Sequence, residues 1–414
     1  MCTNDLNSFV GLCKHRICIW VFLGILLLFS TSIAHSQSFN QISSLSEDSK
    51  ISLLTCAPGD QLYSVFGHTA IRVSDPEQEI DMVFNYGTFD FNTPFFYIKF
   101  GHGSLDYLLS VSTFKQFMQE YFVESRSVWE QELNMELPER KQLFRDLMIN
   151  AEPENRAYQY DFFYDNCATR VRDVLLTQHD NRKLTFRNAD EAGNLTFREA
   201  IHPYLETKPW TKIGIDLILG IPADEYTDSS SIMFLPDHLM TQFAGIFVDN
   251  SSGDKPLVEG ENQLLDFPQS AGSGVFGISP GLVLWLGALV IIFLSVAEFF
   301  GFTNLKILDK VLFVVIGVAG LVIAYLWLVS HHEVTGPNLN ILWAHPFWFF
   351  LLKKRKTFVT SVLRYVLVAL LVFLIFTFVA LPQYIPAEFL PVWLILATRL
   401  GMDIVPERWR KNIN

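Results

Sequence analysis

The stretch Asp165-Asn166-Cys167-Ala168-Thr169-Arg170-Val171-Arg172-Asp173 places a cysteine where nucleophilic chemistry is favoured. It reads as a helix start, capped by Asp165 or Asn166, with Cys167 in the first turn. A thiol there feels the positive end of the helix dipole, which favours the thiolate. A sulphur nucleophile needs a base to collect its proton and return it to a leaving group, and His68 suits that task. The imidazole in turn needs an orienting partner. Asn85 is the first choice, with Asp81 and Tyr86 behind it. The Cys167 backbone N–H would give an oxyanion one donor; the sequence names no second.

Several elements must position these groups. Ile51 to Thr55 is a short apolar run, followed by the turn Cys56-Ala57-Pro58-Gly59-Asp60. From His68 to Val73 polar and apolar residues alternate, as in a half-buried strand. The Asp75-Pro76-Glu77 turn leads to a partner strand, Ile80 to Gly87, which carries Asn85. Residues 113–149 and 168–178 read as helical. The expected order is therefore a strand with a histidine, a strand with an asparagine, helical material, then Asn166-Cys167.

Plainer readings stand beside the catalytic one. A lone cysteine is commonly a small buried hydrophobe. Once an export signal is removed, Cys56 and Cys167 are the only cysteines left, and a disulfide between them would abolish the nucleophile. His68, His102 and Cys167 lack the close spacing of zinc ligands, so no metal or other cofactor is expected.

The rest of the 414 residues frames this region. The formal charge of −12, with no basic patch interleaved with aromatics, argues against nucleic acid as a partner. Lys14 and Arg16, the apolar run Ile17 to Phe29, and Ala34-His35-Ser36 read as a signal peptide over 1–36, with a retained anchor as the rival. Residues 37–250 have the mixed composition of a globular domain, and 251–274 read as a flexible linker. Beyond it, 275–405 reads as about five membrane helices, near 275–296, 308–329, 340–352, 361–380 and 389–400. The segment 340–352 is short and holds Pro346. Lysines and arginines gather at 306–310, 353–356 and in the tail 406–414, while the connectors 331–339 and 381–388 hold none. Positive charge stays on the cytoplasmic side, which puts the globular domain outside. Three crossings with re-entrant short segments would keep that orientation.

With these residues in place, the chain resembles the circularly permuted papain-like group, which includes lecithin–retinol acyltransferases and permuted relatives of NlpC/P60 peptidases. More closely it resembles the Bacteroides-type lipoprotein N-acyltransferase. The matching stretches are LLTCAPGD, FGHTAIRV, VFNYGTFDF, FFYDNCATRVRD, GIDLILGIPAD and NLNILWAHP. The resemblance implies an α+β fold: a permuted papain-like periplasmic domain followed by an all-α membrane bundle in the inner membrane. It implies an enzyme that moves an acyl chain from a phospholipid donor, through a Cys167 thioester, to the α-amine of a diacylglyceryl-cysteine lipoprotein.

Catalytic Cys167, His68 and Asn85 are accompanied by three residues weighed for substrate binding. Arg170 and Arg172 follow the cysteine and suit a lipid phosphate, or else ion pairs with Asp173 or Asp161. Asn166 is the third. Asp216, interrupting an apolar run, reads as a buried partner for one of those arginines. Asn338, Asn340 and His345 fall at the outer end of the third membrane segment, at functional depth or in the interface. His102 reads as a loop residue. Two other function classes use the same sequence: a membrane-anchored cysteine peptidase or amidase acting on cell-wall peptides, and a non-catalytic assembly factor with bridged cysteines.

Overall fold

The structure, a computed structural model, describes residues 44–178, 184–187, 194–249, 253–268, 279–352 and 357–405. The expected signal peptide and the tail 406–414 lie outside the described residues.

Seven antiparallel strands form the central sheet. In chain order the elements are β1 (Lys50–Cys56), β2 (His68–Asp75), β3 (Ile80–Thr88), α1 (Phe96–His102), β4 (Asp106–Thr113), α2 (Phe114–Val123), β5 (Val128–Leu133), α3 (Leu137–Asn150), β6 (Ala157–Gln159) and α4 (Cys167–Thr177). Then come β7 (Leu184–Phe186), α5 (Phe197–Ile201), α6 (Pro209–Ile218), α7 (Pro236–Ala244), β8 (Ile246–Val248), β9 (Lys255–Pro256) and β10 (Val258–Leu265). The sheet order is β10-β5-β1-β2-β3-β4-β6, and β7, β8 and β9 form a small second sheet.

Period-two alternation sorts the strand side chains into two cores. Leu53, Ile71, Phe84 and Tyr86 face one layer, with Leu143 and Leu147 of α3, Ala168 and Val171 of α4 and Phe243 of α7. Leu54, Ala70, Val83 and Val128 face the other, under Phe117 and Tyr121 of α2. The molecule is thus α+β, with an antiparallel sheet domain preceding a helical one.

Two expectations change here. Residues 113–149 are not continuously helical, because β5 interrupts them. Its Glu130 and Glu132 stay near solvent and pair with Arg72 and Lys50 on neighbouring strands, while Val128 and Leu133 are buried. Nor is 251–274 wholly a linker: β10 zips along β5 as the edge strand of the main sheet, from Val258–Leu133 to Leu265–Val128. Residues 250–252 and 269–278 lie outside the described residues.

The helical part holds α8 (Pro280–Phe299), α9 (Lys306–Leu328), α10 (Phe358–Thr377) and α11 (Leu390–Ile404). Among the described residues three helices are long and apolar enough to cross a membrane: Pro280–Phe299, Lys306–Leu328 and Phe358–Ala380. The other two expected spans fall short. Residues 339–352 form two 3-10 turns, Leu339–Leu342 and Pro346–Leu352, split at Pro346, which cannot continue a helix from His345. Helix α11 has 15 residues. Trp343, Trp348 and Trp393 form the centre of this part's core.

The two parts are clasped together through α6. Its Ile213 and Leu217 pack against the core of the helical part. The carbonyls that its C-terminus leaves open are met from outside: Asn338 Nδ2 donates to Leu217 O (2.9 Å) and Ile218 O (3.1 Å), and Asn340 Nδ2 to Leu217 O (3.1 Å). Asn338 and Asn340 are therefore fasteners between the two parts. Asp216, on α6, is buried as expected, but its partners are Arg198 (3.0 Å), His202 (3.0 Å) and Lys212 (2.9 Å) rather than Arg170 or Arg172.

Candidate active site

The β2–β3 ladder ends at the pair Ile71–Phe84. Beyond it, His68 Nε2 and Asn85 Oδ1 lie 3.1 Å apart. Because Oδ1 accepts, Nε2 carries the hydrogen, and Nδ1 is left with a free lone pair. Asn85, two residues past Val83, faces the α2 layer by alternation.

Cys167 reaches the same place from the opposite layer, at the first turn of α4. Asn166 caps that helix. Its Oδ1 accepts from Ala168 N (2.7 Å) and Thr169 N (2.9 Å), and its Nδ2 donates to Phe162 O and Phe234 O (both 2.8 Å). The Thr69 N–H, which belongs to the peptide joining His68 to Thr69, favours the Cys167 thiolate. Gly87 makes the approach feasible. It has φ +89°, and a Cβ there would sit 3.2 Å from Cys167 Cβ. Cys167, His68 and Asn85 are thus gathered at one end of the sheet. Among the described residues no hydrogen bond joins the Cys167 sulphur to the imidazole, whose one side-chain bond goes to Asn85.

The electrostatics differ from the thiolate expected at a helix start. Burial pushes the Cys167 thiol up to about 11, against the pull of N–H groups from Thr69, Ala168 and Cys167 itself. Burial also pushes His68 down to about 4, although the Asn85 hydrogen bond works the other way. The resting pair is a neutral thiol and a neutral imidazole. The disulfide reading is not met: Cys56 and Cys167 are both free. Cys56 pairs with His68 across β1 and β2, and burial pushes its thiol up to about 12.

Two residues that the sequence did not single out stand beside the pair. Arg126 is buried, donates Nε to Ala57 O (2.8 Å) and Nη1 to Glu124 (2.8 Å), and has no partner for Nη2 among the described residues. Its charge lowers the pKa values of both His68 and Cys167. Tyr158, on β6, has a buried hydroxyl with no partner among the described residues, 3.9 Å from where a Cβ on Gly87 would lie. Only an unusual setting could have flagged them: an arginine just ahead of an alternating strand, a tyrosine in a three-residue one.

The three residues weighed for substrate binding have internal tasks. Arg170 grips Asp165 with two bonds (2.5 and 2.6 Å) and lies over the Tyr158 ring. Arg172 pairs with Asp173 (2.7 Å) and donates to Ser230 O (2.8 Å). Both therefore follow the ion-pair alternative, with Asp165 in place of Asp161 for Arg170. Asn166 spends both side-chain atoms on the cap and on two carbonyls, which corrects the substrate-binding reading for that residue. His345 stacks on Trp348 inside the helical part. His102 ends α1 instead of lying in a loop.

Comparison with known proteins agrees with this layout. Residues 37–202 match the family model of the Lnb N-terminal periplasmic domain, and residues 271–409 that of the Lnb transmembrane domain. The two matches support a protein of the Lnb type. It is a membrane protein with a periplasmic N-terminal domain, and the Cys167 site belongs to that domain. No curated protein and no solved structure matches the chain.

Proposed function

We propose that the protein is a lipoprotein N-acyltransferase of the inner membrane, built on a permuted papain-like domain, with Cys167 as nucleophile, His68 as base and Asn85 as orienter. One arrangement carries this reading: α4 brings Cys167 against Gly87 of β3, where a Cβ would sit 3.2 Å from Cys167 Cβ, two residues from Asn85, whose Oδ1 holds the His68 ring at 3.1 Å.

Cys167 attacks an ester carbonyl of a phospholipid while its proton passes to His68 Nδ1. Since both groups rest neutral, proton transfer accompanies attack. The carbonyl oxygen becomes an oxyanion beside the Cys167 N–H, and the unpartnered Tyr158 hydroxyl suits the role of second donor. Collapse of this intermediate breaks the ester C–O bond. The lysophospholipid oxygen leaves with the proton from His68, and the acyl group stays as a thioester. The α-amine of a diacylglyceryl-cysteine then attacks the thioester and gives a proton to His68. The C–S bond breaks, an amide forms, and the thiol is restored with that proton. Both substrates are bilayer-anchored, and the firm attachment of α6 to the helical part suits a site that works at the membrane surface.

The test is lipoprotein mass spectrometry in cells where this chain is the sole N-acyltransferase. Cys167→Ser and Cys167→Ala should leave lipoproteins with two acyl chains and a free amine. Unchanged N-acylation in both variants would refute the reading.

A further inference from the structure

The segment from Phe89 to His102 carries large apolar side chains that stand exposed among the described residues. Tyr97 is 82 % exposed, Phe95 75 %, Ile98 67 % and Phe91 61 %. They form one patch: Phe91 and Phe96 rings pack 4.9 Å apart, and Phe96 touches Tyr97 at 5.3 Å. A contiguous exposed aromatic patch of this kind marks an interaction site.

Its location identifies the partner. The C-terminus of α1 is tied to the end of membrane helix α9. His331 N donates to His102 O (2.8 Å), His332 Nε2 donates to Phe100 O (3.0 Å), and His102 Nδ1 lies 2.9 Å from the Tyr325 hydroxyl. Helix α9 has 23 residues, about 34 Å of rise, which is close to the hydrocarbon thickness of a bilayer. Tyr325, in its last turn, falls at the membrane surface, beside exposed Leu328 and Val329. Whatever is bonded to Tyr325 shares that depth. Tyrosine and lysine, the polar-tipped residues of α1 (Tyr97 and Lys99), are also the types that anchor at headgroup level.

We propose that α1 and the Phe89–Phe95 turn before it dip into the leaflet on the periplasmic side of the bilayer, with phospholipid as the occupant of the patch. The patch is also continuous with the site. Phe89 links Phe96 (5.7 Å) to Tyr107 (5.4 Å), and Tyr107 leads to Tyr158 (6.5 Å), beside Gly87 and Cys167. The dipping element therefore disturbs lipids at the entrance to the nucleophile. This second role rests on the acyltransferase reading; the contact with lipid does not.

Photocrosslinking in the full-length protein tests the contact. A benzophenone amino acid at Tyr97 or Ile98, in nanodiscs of phosphatidylethanolamine and phosphatidylglycerol, should form phospholipid adducts on irradiation. The same probe at Gln78, on the turn at the other end of the β2–β3 hairpin, should form none. Equal labelling at all three positions would overturn the proposal. As a functional arm, Ile98→Glu should slow acyl transfer from bilayer phospholipid about tenfold and leave transfer from a micellar short-chain phospholipid within about twofold; an equal loss on both would overturn the delivery role. Adducts at Tyr97 and Ile98 without any acyl transfer by the unaltered protein would sustain the membrane contact and remove the acyltransferase reading.

Discussion

The Cys167 thiol titrates high although the backbone N–H groups of Thr69, Ala168 and Cys167 itself favour the thiolate, because burial costs the thiolate more than they contribute. This distinguishes it from a cysteine stored as a thiolate–imidazolium pair. The difference is measurable. Cys167 titrates from thiol to thiolate near 11, so the fraction ionised should rise about tenfold per pH unit between 7 and 9. Alkylation by iodoacetamide, followed by peptide mass spectrometry at Cys167, should rise the same way without levelling off. A rate already flat below pH 7 would contradict the neutral pair. His68 has the opposite sign: its pKa is depressed to about 4, so the base form persists as pH falls from 7 to 5. On the proposed acyltransferase reading, the acid limb of the reaction should accordingly lie near 4, below the range of an ordinary histidine.

At the scale of elements, α4 depends on its cap. Asn166→Ala removes a cap worth about 1 kcal/mol and strands the Phe162 and Phe234 carbonyls, for a total loss of about 2–4 kcal/mol. Thermal unfolding of the purified variant checks this. A midpoint that stays put while KM changes would mean that Asn166 meets substrate after all. Strands β2 and β3 and the start of α4 were legible because each is announced locally, by alternation around Ile71 and Val83 and by Asn-Cys ahead of an amphipathic run. Strand β5 was not, since six residues of period two lie between two helical patterns. Strand β10 was hidden by its polar make-up, which serves an exposed edge and resembles a loop. The site was half legible for the same reason. Cys167, His68 and Asn85 sit on elements whose chemistry is local. Arg126 and Tyr158 acquire their positions only when β5 and β6 take their places on either side of the sheet.

At the scale of the whole molecule, one buried arginine holds the region where the two parts join. Arg198 meets Asp216 at 3.0 Å and Asp224 at 2.8 Å, while Asp224 also accepts from Tyr384 N (3.1 Å) in the helical part. Removing one member of a buried ionic cluster leaves the others charged and unpaired. Arg198→Met should therefore cost about 3–5 kcal/mol, seen as a lower unfolding temperature in detergent or a smaller amount of protein in the membrane. Stability within 1 kcal/mol of the parent would show that Asp216 and Asp224 find other partners.

The clasp at α6 also limits how the protein can be taken apart. A helix normally finishes its last carbonyls with its own chain or with water, but here amides more than a hundred residues downstream do so, with Gln383 Nε2 adding a bond to Leu219 O (3.1 Å). Anyone cutting the chain ahead of Pro280 to obtain a water-soluble domain would uncover Ile213 and Leu217 and leave those carbonyls bare. The periplasmic half is a lodger in its own anchor, and solution work on it calls for the intact polypeptide in lipid or detergent.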